Sequence, residues 1–301
     1  MKFNFKKINQ YTLYEIFRYL YEKIYKKIYS ITTPKIYSDS QNISESDDGN
    51  YISFVKKCTS NKKIFDNFER NPIYRYVLEH STYKHGLEYI KHLDLRTKNE
   101  IDKFLINDKI GNPIKFHYKL FNKSISPGTL RYLKVMKDIE KYFGNKFDNI
   151  VEIGCGYGGQ YIILDQSFNI INYTLFDLPE VNTLIKKNLE NYSLKSKYEF
   201  NNFDVSLNKI DLVISNYSFS ELQPNIQIDY LKNIISKSLH GYMTMNSGLD
   251  VSNILDKQKN KNLGCGFANH LSLTEIRKYI PNCKVVEEIP LTGDRNYIII
   301  W

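Results

Sequence analysis

The chain has 301 residues, of which 42% are hydrophobic and 14% aromatic, so it can bury an α/β core together with a smaller unit. No apolar run reaches the roughly 18 residues that cross a bilayer, and the N-terminus lacks the cleavage site of a secretory signal. The formal charge of +9 suits an anionic partner such as nucleic acid or a phosphorylated sugar, but lysine is spread along the whole chain. A generally basic surface explains that spread better, so we expect no nucleic-acid partner.

Residues 1–30 predict an amphipathic helix, because their apolar side chains recur every three or four positions. Its apolar face includes Ile8, Leu13, Ile16, Phe17, Leu20, Ile24 and Ile28. The helix packs on its own domain or on a second copy in a homodimer, or it lies on a membrane surface as a basic amphipathic helix. Residues 31–50 are mostly polar and acidic towards their end, which predicts a flexible linker.

Residues 51–145 predict a mostly helical region that forms a cap or the substrate side of a larger domain. Helices are expected to begin near Asn71 and near Ser126, since each of these capping residues precedes a proline. No repeat and no series of alternating strands is visible in this region.

From residue 146 to 301, short apolar strands alternate with helices, which predicts an α/β fold with a parallel, doubly wound sheet. Seven strands are expected, at residues 149–153, 173–176, 198–200, 212–215, 241–245, 284–289 and 297–301. Only a loop separates the last two, so they should form a hairpin that makes the last strand antiparallel. The predicted fold is Rossmann-like.

A glycine-rich block follows the first of these strands, with the sequence Val151-Glu152-Ile153-Gly154-Cys155-Gly156-Tyr157-Gly158-Gly159-Gln160. Glycines permit a tight turn and close approach of a ligand to the backbone, and the following helix start offers free N–H groups. Gly154, Gly156 and Gly159 also satisfy G-x-G-x-x-G, so a dinucleotide such as NAD has to be considered.

Two acids separate the candidate cofactors. Glu152 precedes the first glycine, where a carboxylate would repel a pyrophosphate and attract an ammonium group. Asp177 ends the second strand in Phe176-Asp177-Leu178-Pro179-Glu180, a position from which an acid can accept both hydroxyls of a ribose. A ligand with a cationic amino-acid end and a nucleoside end fits both, which predicts S-adenosylmethionine rather than NAD. The residues expected to bind it here are Glu152, Gly154, Gly156, Tyr157, Gly158, Gly159, Asp177 and Leu178.

Further side chains follow the third and fourth strands. Asp204 is placed to take the adenine amino group, or else it caps a loop. Asn216 and Tyr217 follow the central fourth strand, so we expect them to face the sulfonium and the methyl group. The Asn/Asp-Pro-Pro-Tyr/Phe element of amino-methylating nucleic-acid enzymes is missing from this position.

Four segments resemble the sugar O-methyltransferases found in polysaccharide and glycosylated-metabolite gene clusters, a group of the class I S-adenosylmethionine-dependent methyltransferases. They are the segment 126–132, the glycine block 151–160, the segment Phe176-Asp177-Leu178-Pro179-Glu180-Val181 and the segment 215–222. The resemblance covers roughly residues 120–301, and Cys155 stands where relatives often have glycine. It implies methyl transfer to a sugar hydroxyl in glycan or glycoconjugate synthesis, with a sugar, nucleotide-sugar or glycan as acceptor.

Such a transfer needs an aligned acceptor oxygen and a general base or a metal, because a sugar hydroxyl is a poor nucleophile. His270 is one candidate base and Glu221 another; a backbone-bonded histidine and a helix-start carboxylate are the alternatives. No cluster of side chains has the spacing of a strong metal site. The four cysteines follow no zinc-like or disulfide pattern and predict free thiols in a reducing cytoplasm.

The remaining candidates lie at the edges of the predicted site. Asp294, a third catalytic candidate, and Arg295 lie in the last hairpin loop; we expect them to hold hydroxyls or a phosphate of the acceptor, or to form a surface ion pair. Arg131, with Tyr132, closes over the methionine carboxylate or packs between domains. Tyr83 is a weaker candidate for substrate contact, and His85 beside it is either structural or a further contact on the substrate side. An RNA or protein methyltransferase and a non-catalytic scaffold are the alternative functions, and we expect a cytoplasmic protein, with membrane association at the inner surface as an option.

Overall fold

The structure is a computed structural model, and helices dominate the first part of the chain that it describes. The described residues are 50–78, 81–93, 98–201, 209–246, 271–292 and 296–301. The predicted N-terminal helix and nearly all of the predicted linker lie outside these residues. So do four candidate site residues, Asp204, His270, Asp294 and Arg295.

The helical region ends in a long helix that leads into the sheet. Its elements are α1 (Asn50–Ser60), α2 (Lys62–Phe65), a 3₁₀ turn (Phe68–Arg70), α3 (Pro72–Val77), α4 (Tyr83–His92), a 3₁₀ stretch (Lys98–Asp108) and α5 (Pro127–Phe143). Asn71 accepts a hydrogen bond from the Ile73 N–H, and Ser126 accepts one from the Thr129 N–H. These caps confirm the two predicted helix starts.

A two-stranded hairpin, β1 (Phe116–Tyr118) and β2 (Lys123–Ile125), interrupts this helical region. No sequence pattern predicts this hairpin. Each strand has three residues, too few for alternation to be distinguished from part of a helix.

The chain then builds a seven-stranded sheet. Its strands are β3 (Lys146–Ile153), β4 (Asn169–Phe176), β5 (Lys197–Phe200), β6 (Ile210–Asn216), β7 (Ser238–Asn246), β8 (Lys284–Glu287) and β9 (Asn296–Ile300). The order is β5-β4-β3-β6-β7-β9-β8, and β9 pairs antiparallel with both β7 and β8. The α/β, doubly wound sheet with an antiparallel last strand is therefore confirmed.

Helices cover both faces of the sheet. They are α6 (Gly159–Asp165), α7 (Pro179–Leu189), α8 (Ser218–Glu221), α9 (Pro224–Asn233), a 3₁₀ turn (Ile235–Lys237) and α10 (Leu273–Ile276). Successive strand residues alternate between two cores, as the two-residue period of a strand requires. Ile150 belongs to the core that α5, α6 and α7 share with the helical region, whereas Val151 packs with α9 and α10 on the other face.

The order of the strands places a crevice at one edge of the sheet. The chain leaves β3 towards β4 on one side and later returns to β6 on the other, so β3 and β6 flank a topological switch point. Ligands of open α/β sheets bind outside the carboxyl ends of the strands at such a point. Among the described helices, none is long and apolar enough to cross a membrane.

Candidate active site

A cavity of about 580 Å³ opens at the carboxyl ends of β3, β4 and β6. From the sheet side its lining includes Glu152, Gly154, Gly156, Asp177, Leu178, Asn216, Tyr217 and Glu221. From the helical region it includes Tyr51, Tyr74, Leu78, His85, Tyr89 and Arg131. The structure thus brings together nine of the residues proposed from the sequence, namely the eight on the sheet side and Arg131.

Two glycines of the block line the cavity, and they differ in what surrounds them. Gly154 has a φ of 74°, and a Cβ atom there would lie 2.0 Å from the Ser218 Oγ atom, so the residue must be glycine for α8 to approach. Gly156 has a φ of 60°, but a Cβ atom there would meet only the Leu78 side chain, at 3.7 Å. The space beside Gly156 is therefore open to a ligand.

The other three residues proposed from the block, Tyr157, Gly158 and Gly159, do not line the cavity. The buried Tyr157 ring packs 5.6 Å from the Phe68 ring, and its hydroxyl accepts a hydrogen bond of 2.8 Å from the Asn107 amide. A Cβ atom on Gly159 would lie 2.5 Å from the Tyr132 ring. Tyr157 and Gly159 thus pack the glycine block against the helical region, whereas a Cβ atom on Gly158 would lie 3.2 Å from the Ile185 and Leu189 side chains of α7.

The carboxylate of Asp177 ties the glycine block to the end of β4. Its Oδ2 atom accepts hydrogen bonds from the Cys155 N–H at 2.7 Å and the Gly156 N–H at 3.2 Å. Its Oδ1 atom accepts one from the Leu178 N–H at 2.8 Å. Burial raises the pKa of Asp177 to about 6, and the three backbone N–H groups oppose that rise. Asp177 is therefore ionised at pH 7.

Glu152 is a second carboxyl group in the cavity and is only 2% exposed. The Tyr173 hydroxyl donates a hydrogen bond of 2.8 Å to its Oε2 atom. The pKa of Glu152 is raised to about 8, mainly by burial and also by the nearby charge of Asp177, while the hydrogen bond from Tyr173 opposes the rise. Without a cation beside it, Glu152 therefore holds a proton at pH 7.

Asn216 and Tyr217 follow β6, as the sequence predicts, and both line the cavity. The Asn216 amide nitrogen lies 3.4 Å from the Gln160 Oε1 atom, while its buried Oδ1 atom has no hydrogen-bond partner within the described parts of the chain. Tyr217 has a φ of 71°, an uncommon conformation for a residue with a side chain. Its hydroxyl donates to Glu288 and lies 3.0 Å from the Thr292 hydroxyl, which ties β6 to the β8–β9 loop.

Arg131, in the first turns of α5, lies between aromatic rings. Its guanidinium carbon is 5.1 Å from the centre of the Tyr132 ring and 5.9 Å from that of the Tyr217 ring. It supplies a positive charge to the same wall of the cavity as Tyr217. An anionic group of a ligand would be attracted there.

The helical region contributes residues that the sequence analysis did not propose. Tyr51, Tyr74 and Tyr89 line the cavity, and no motif marks them among the chain's 25 tyrosines. Tyr83, the residue proposed for substrate contact, instead stacks on Tyr118 with ring centres 5.4 Å apart and does not line the cavity. His85, two positions further on, does line it.

One of the three proposed catalytic residues can be placed. Glu221, at the end of α8, is half-buried on the cavity wall, whereas His270 and Asp294 fall outside the described residues. The same holds for Arg295 and for Asp204. In the described part of the chain, no three His, Cys, Asp or Glu side chains group as metal ligands would.

Comparison with known proteins gives fold neighbours. No protein-family model matches the chain, and no curated protein matches it either. A S-adenosylmethionine-dependent methyltransferase from Clostridium acetobutylicum ATCC 824 is 12% identical, with 55% of this chain and 87% of that chain covered and a TM-score of 0.40. The N-methyltransferase NodS from Bradyrhizobium japonicum WM9 is 13% identical, with coverages of 56% and 92% and a TM-score of 0.40. These values describe a partial likeness, so the function is inferred from the residues of the site.

Proposed function

We propose that the protein is an S-adenosylmethionine-dependent O-methyltransferase that acts on a sugar hydroxyl. The observation that carries this proposal is one cavity, at the switch point of the sheet, that joins Glu152, Gly156 and Asp177. These groups match the two ends of S-adenosylmethionine: a carboxyl group for an ammonium, and a second carboxyl group for a ribose.

The residues present fit that cofactor. Asp177 is an ionised acceptor beside the open space at Gly156, which suits a hydroxyl-bearing ribose near the glycine block. Glu152 is buried and its pKa is raised, so a cation beside it would stabilise the ionised carboxylate that burial disfavours. Arg131 offers a positive charge for a carboxylate, and the buried Asn216 Oδ1 atom lacks a hydrogen-bond donor among the residues described.

The rest of the cavity wall mixes apolar side chains, such as Val77, Leu222 and Ile226, with polar side chains that suit a sugar acceptor. Besides Tyr217, it presents Ser81, His85, Thr292 and Asn296, whose side chains can hydrogen-bond the hydroxyl groups of a carbohydrate. Surface charge alone does not decide the acceptor. A sugar that carries a phosphate or nucleotide would in addition suit the chain's net charge of +9.

The protein's own groups have limited chemistry to perform. When bound, S-adenosylmethionine supplies a methyl group that its sulfonium already activates for displacement. The protein has to hold the acceptor oxygen in line with that methyl group and exclude water. Glu221 lies on the cavity wall, where its carboxyl group can accept the hydroxyl proton, and side chains of the helical region line the same cavity.

Calorimetric titration with S-adenosylmethionine and S-adenosylhomocysteine, with NAD as the control, tests the proposal. We expect micromolar affinity for the first two ligands and none for NAD. A panel of nucleotide-sugars and free sugars, incubated with S-adenosylmethionine and examined by mass spectrometry, should then yield a product heavier by one methylene. Failure of both methyl-cycle ligands to bind would overturn the proposal, and methylation of RNA or protein but of no sugar would overturn its acceptor.

A further inference from the structure

Asp177 has too few free acceptor sites for both hydroxyls of a ribose. A carboxylate offers about four lone-pair sites for hydrogen bonds. Three of them are taken by the N–H groups of Cys155, Gly156 and Leu178. About one site remains, so a vicinal diol held at Asp177 needs a second partner for its other hydroxyl.

Tyr51, in α1, lines the same cavity. The residue is 5% exposed, and its hydroxyl has no hydrogen-bond partner among the residues that the structure describes. Leaving a buried hydroxyl unpaired is costly, which points to a partner outside the described residues, such as a bound ligand. Burial, together with the nearby charge of Asp177, raises the pKa of Tyr51 well above its ordinary value, so the hydroxyl keeps its proton.

Helix α1 is fixed against the helix that follows Asp177. The Lys187 ammonium of α7 donates to the carbonyl oxygens of Cys58 and Thr59 at 3.2 and 2.8 Å, at the end of α1. Lys56 of α1 lies 3.2 Å from the Glu180 carboxylate of α7. These contacts fix α1 against α7, and Tyr51 of α1 and Asp177 just before α7 line the same cavity.

We propose that Tyr51 binds the second ribose hydroxyl of the cofactor, so that Asp177 and Tyr51 together hold the diol. This inference rests on the proposed function, since it requires a ligand that contains a ribose. It makes the helical region part of the cofactor site rather than only the substrate side.

The test is calorimetric binding of S-adenosylhomocysteine to the full chain and to Tyr51→Phe, which removes one hydroxyl. We expect affinity to fall about three- to tenfold, the loss typical of one hydrogen bond. Tyr192→Phe is the matched control, because the Tyr192 hydroxyl is also buried but lies outside the cavity. Its affinity should equal that of the unmodified protein.

The 2′-deoxy and 3′-deoxy analogues of S-adenosylhomocysteine supply a second measurement that needs no variant. The analogue that lacks the hydroxyl bound by Tyr51 should bind the unmodified protein more weakly than the parent compound does. Its affinity for Tyr51→Phe should equal its affinity for the unmodified protein. Two results would overturn the role of Tyr51 and leave the proposed function intact. In the first, S-adenosylhomocysteine binds Tyr51→Phe as tightly as it binds the unmodified protein. In the second, both analogues bind the unmodified protein as tightly as the parent compound does. Absence of S-adenosylhomocysteine binding to the unmodified protein would instead overturn the proposed function, and this inference with it.

Discussion

At the scale of single residues, the protonation of Glu152 governs how a cationic ligand would bind. Its pKa of about 8 means that the ligand-free protein holds a proton there at pH 7. An ammonium group beside it favours the ionised carboxylate. Binding should therefore release a proton, and affinity should rise as the pH is raised towards 8.

This linkage is measured by titrating S-adenosylhomocysteine at pH 7 in buffers with different enthalpies of ionisation. We expect release of about one proton per ligand bound, because Glu152 changes from its protonated to its ionised form. One released proton corresponds to a tenfold rise in affinity per pH unit. Glu152→Gln should release none. The same heat in every buffer for the unmodified protein would show that no ammonium group binds at Glu152.

Gly154 illustrates a second residue-level constraint, a close approach between two elements. Gly154→Ala places a methyl group 2.0 Å from the Ser218 Oγ atom and forces a side chain into a φ of 74°. We expect a loss of about 2–4 kcal/mol in the free energy of unfolding, from overpacking together with backbone strain. The double variant Gly154→Ala/Ser218→Gly should recover part of that loss in denaturant titrations. No recovery would mean that strain, rather than the contact, sets the cost.

At the scale of elements, the start of α5 depends on one buried carboxylate. Asp108 accepts hydrogen bonds from the Ser126 N–H at 2.7 Å, the Ser126 hydroxyl at 2.7 Å and the Thr129 hydroxyl at 2.6 Å. Ser126 in turn caps the helix whose next turn carries Arg131. Asp108 thus links the 3₁₀ stretch to the cavity wall.

Asp108→Ala should lower the free energy of unfolding by about 2–4 kcal/mol, because it leaves buried donors without acceptors. Asp108→Asn, which keeps one acceptor oxygen, should lose less. The control is Asp102→Ala in the same 3₁₀ stretch, whose carboxylate pairs with Lys123 at the surface. Equal unfolding midpoints for the two alanine variants in urea would contradict this account of the helix start.

The elements also show where sequence patterns suffice. Most of the sheet strands could be predicted because they carry consecutive apolar residues. The acids at the ends of β3 and β4 follow from position in a doubly wound sheet. The caps at Asn71 and Ser126 are local signals as well. The β1–β2 hairpin could not be predicted, since three residues per strand carry no recognisable period.

At the scale of the whole molecule, the cavity combines residues that lie far apart in the sequence. Tyr51 and Asp177 are separated by more than a hundred positions yet line the same cavity. Their proximity results from tertiary packing of α1 on α7, which no local pattern encodes. For the same reason the sequence proposed Tyr157 as a ligand contact, whereas its ring packs inward against Phe68.

The helical region and one face of the sheet share a single hydrophobic core, which makes the cavity dependent on residues distant from it. Phe68 is fully buried, and its ring lies 5.2 Å from that of Tyr74 and 5.6 Å from that of Tyr157. Tyr157 belongs to the glycine block and Tyr74 lines the cavity. Loss of the Phe68 ring would therefore disturb the packing of both the glycine block and the helical side of the cavity.

Phe68→Ala should therefore cost about 3–5 kcal/mol in the free energy of unfolding and weaken S-adenosylhomocysteine binding as well, although Phe68 does not line the cavity. Thermal unfolding followed by tyrosine fluorescence and by circular dichroism should show one transition, shifted equally in both signals, since one core unfolds as a unit. The control Leu87→Ala removes an exposed side chain and should change neither quantity. If Phe68→Ala instead produced a separate early transition with unchanged ligand affinity, the helical region would fold independently of the sheet, and the cavity would not depend on their shared core.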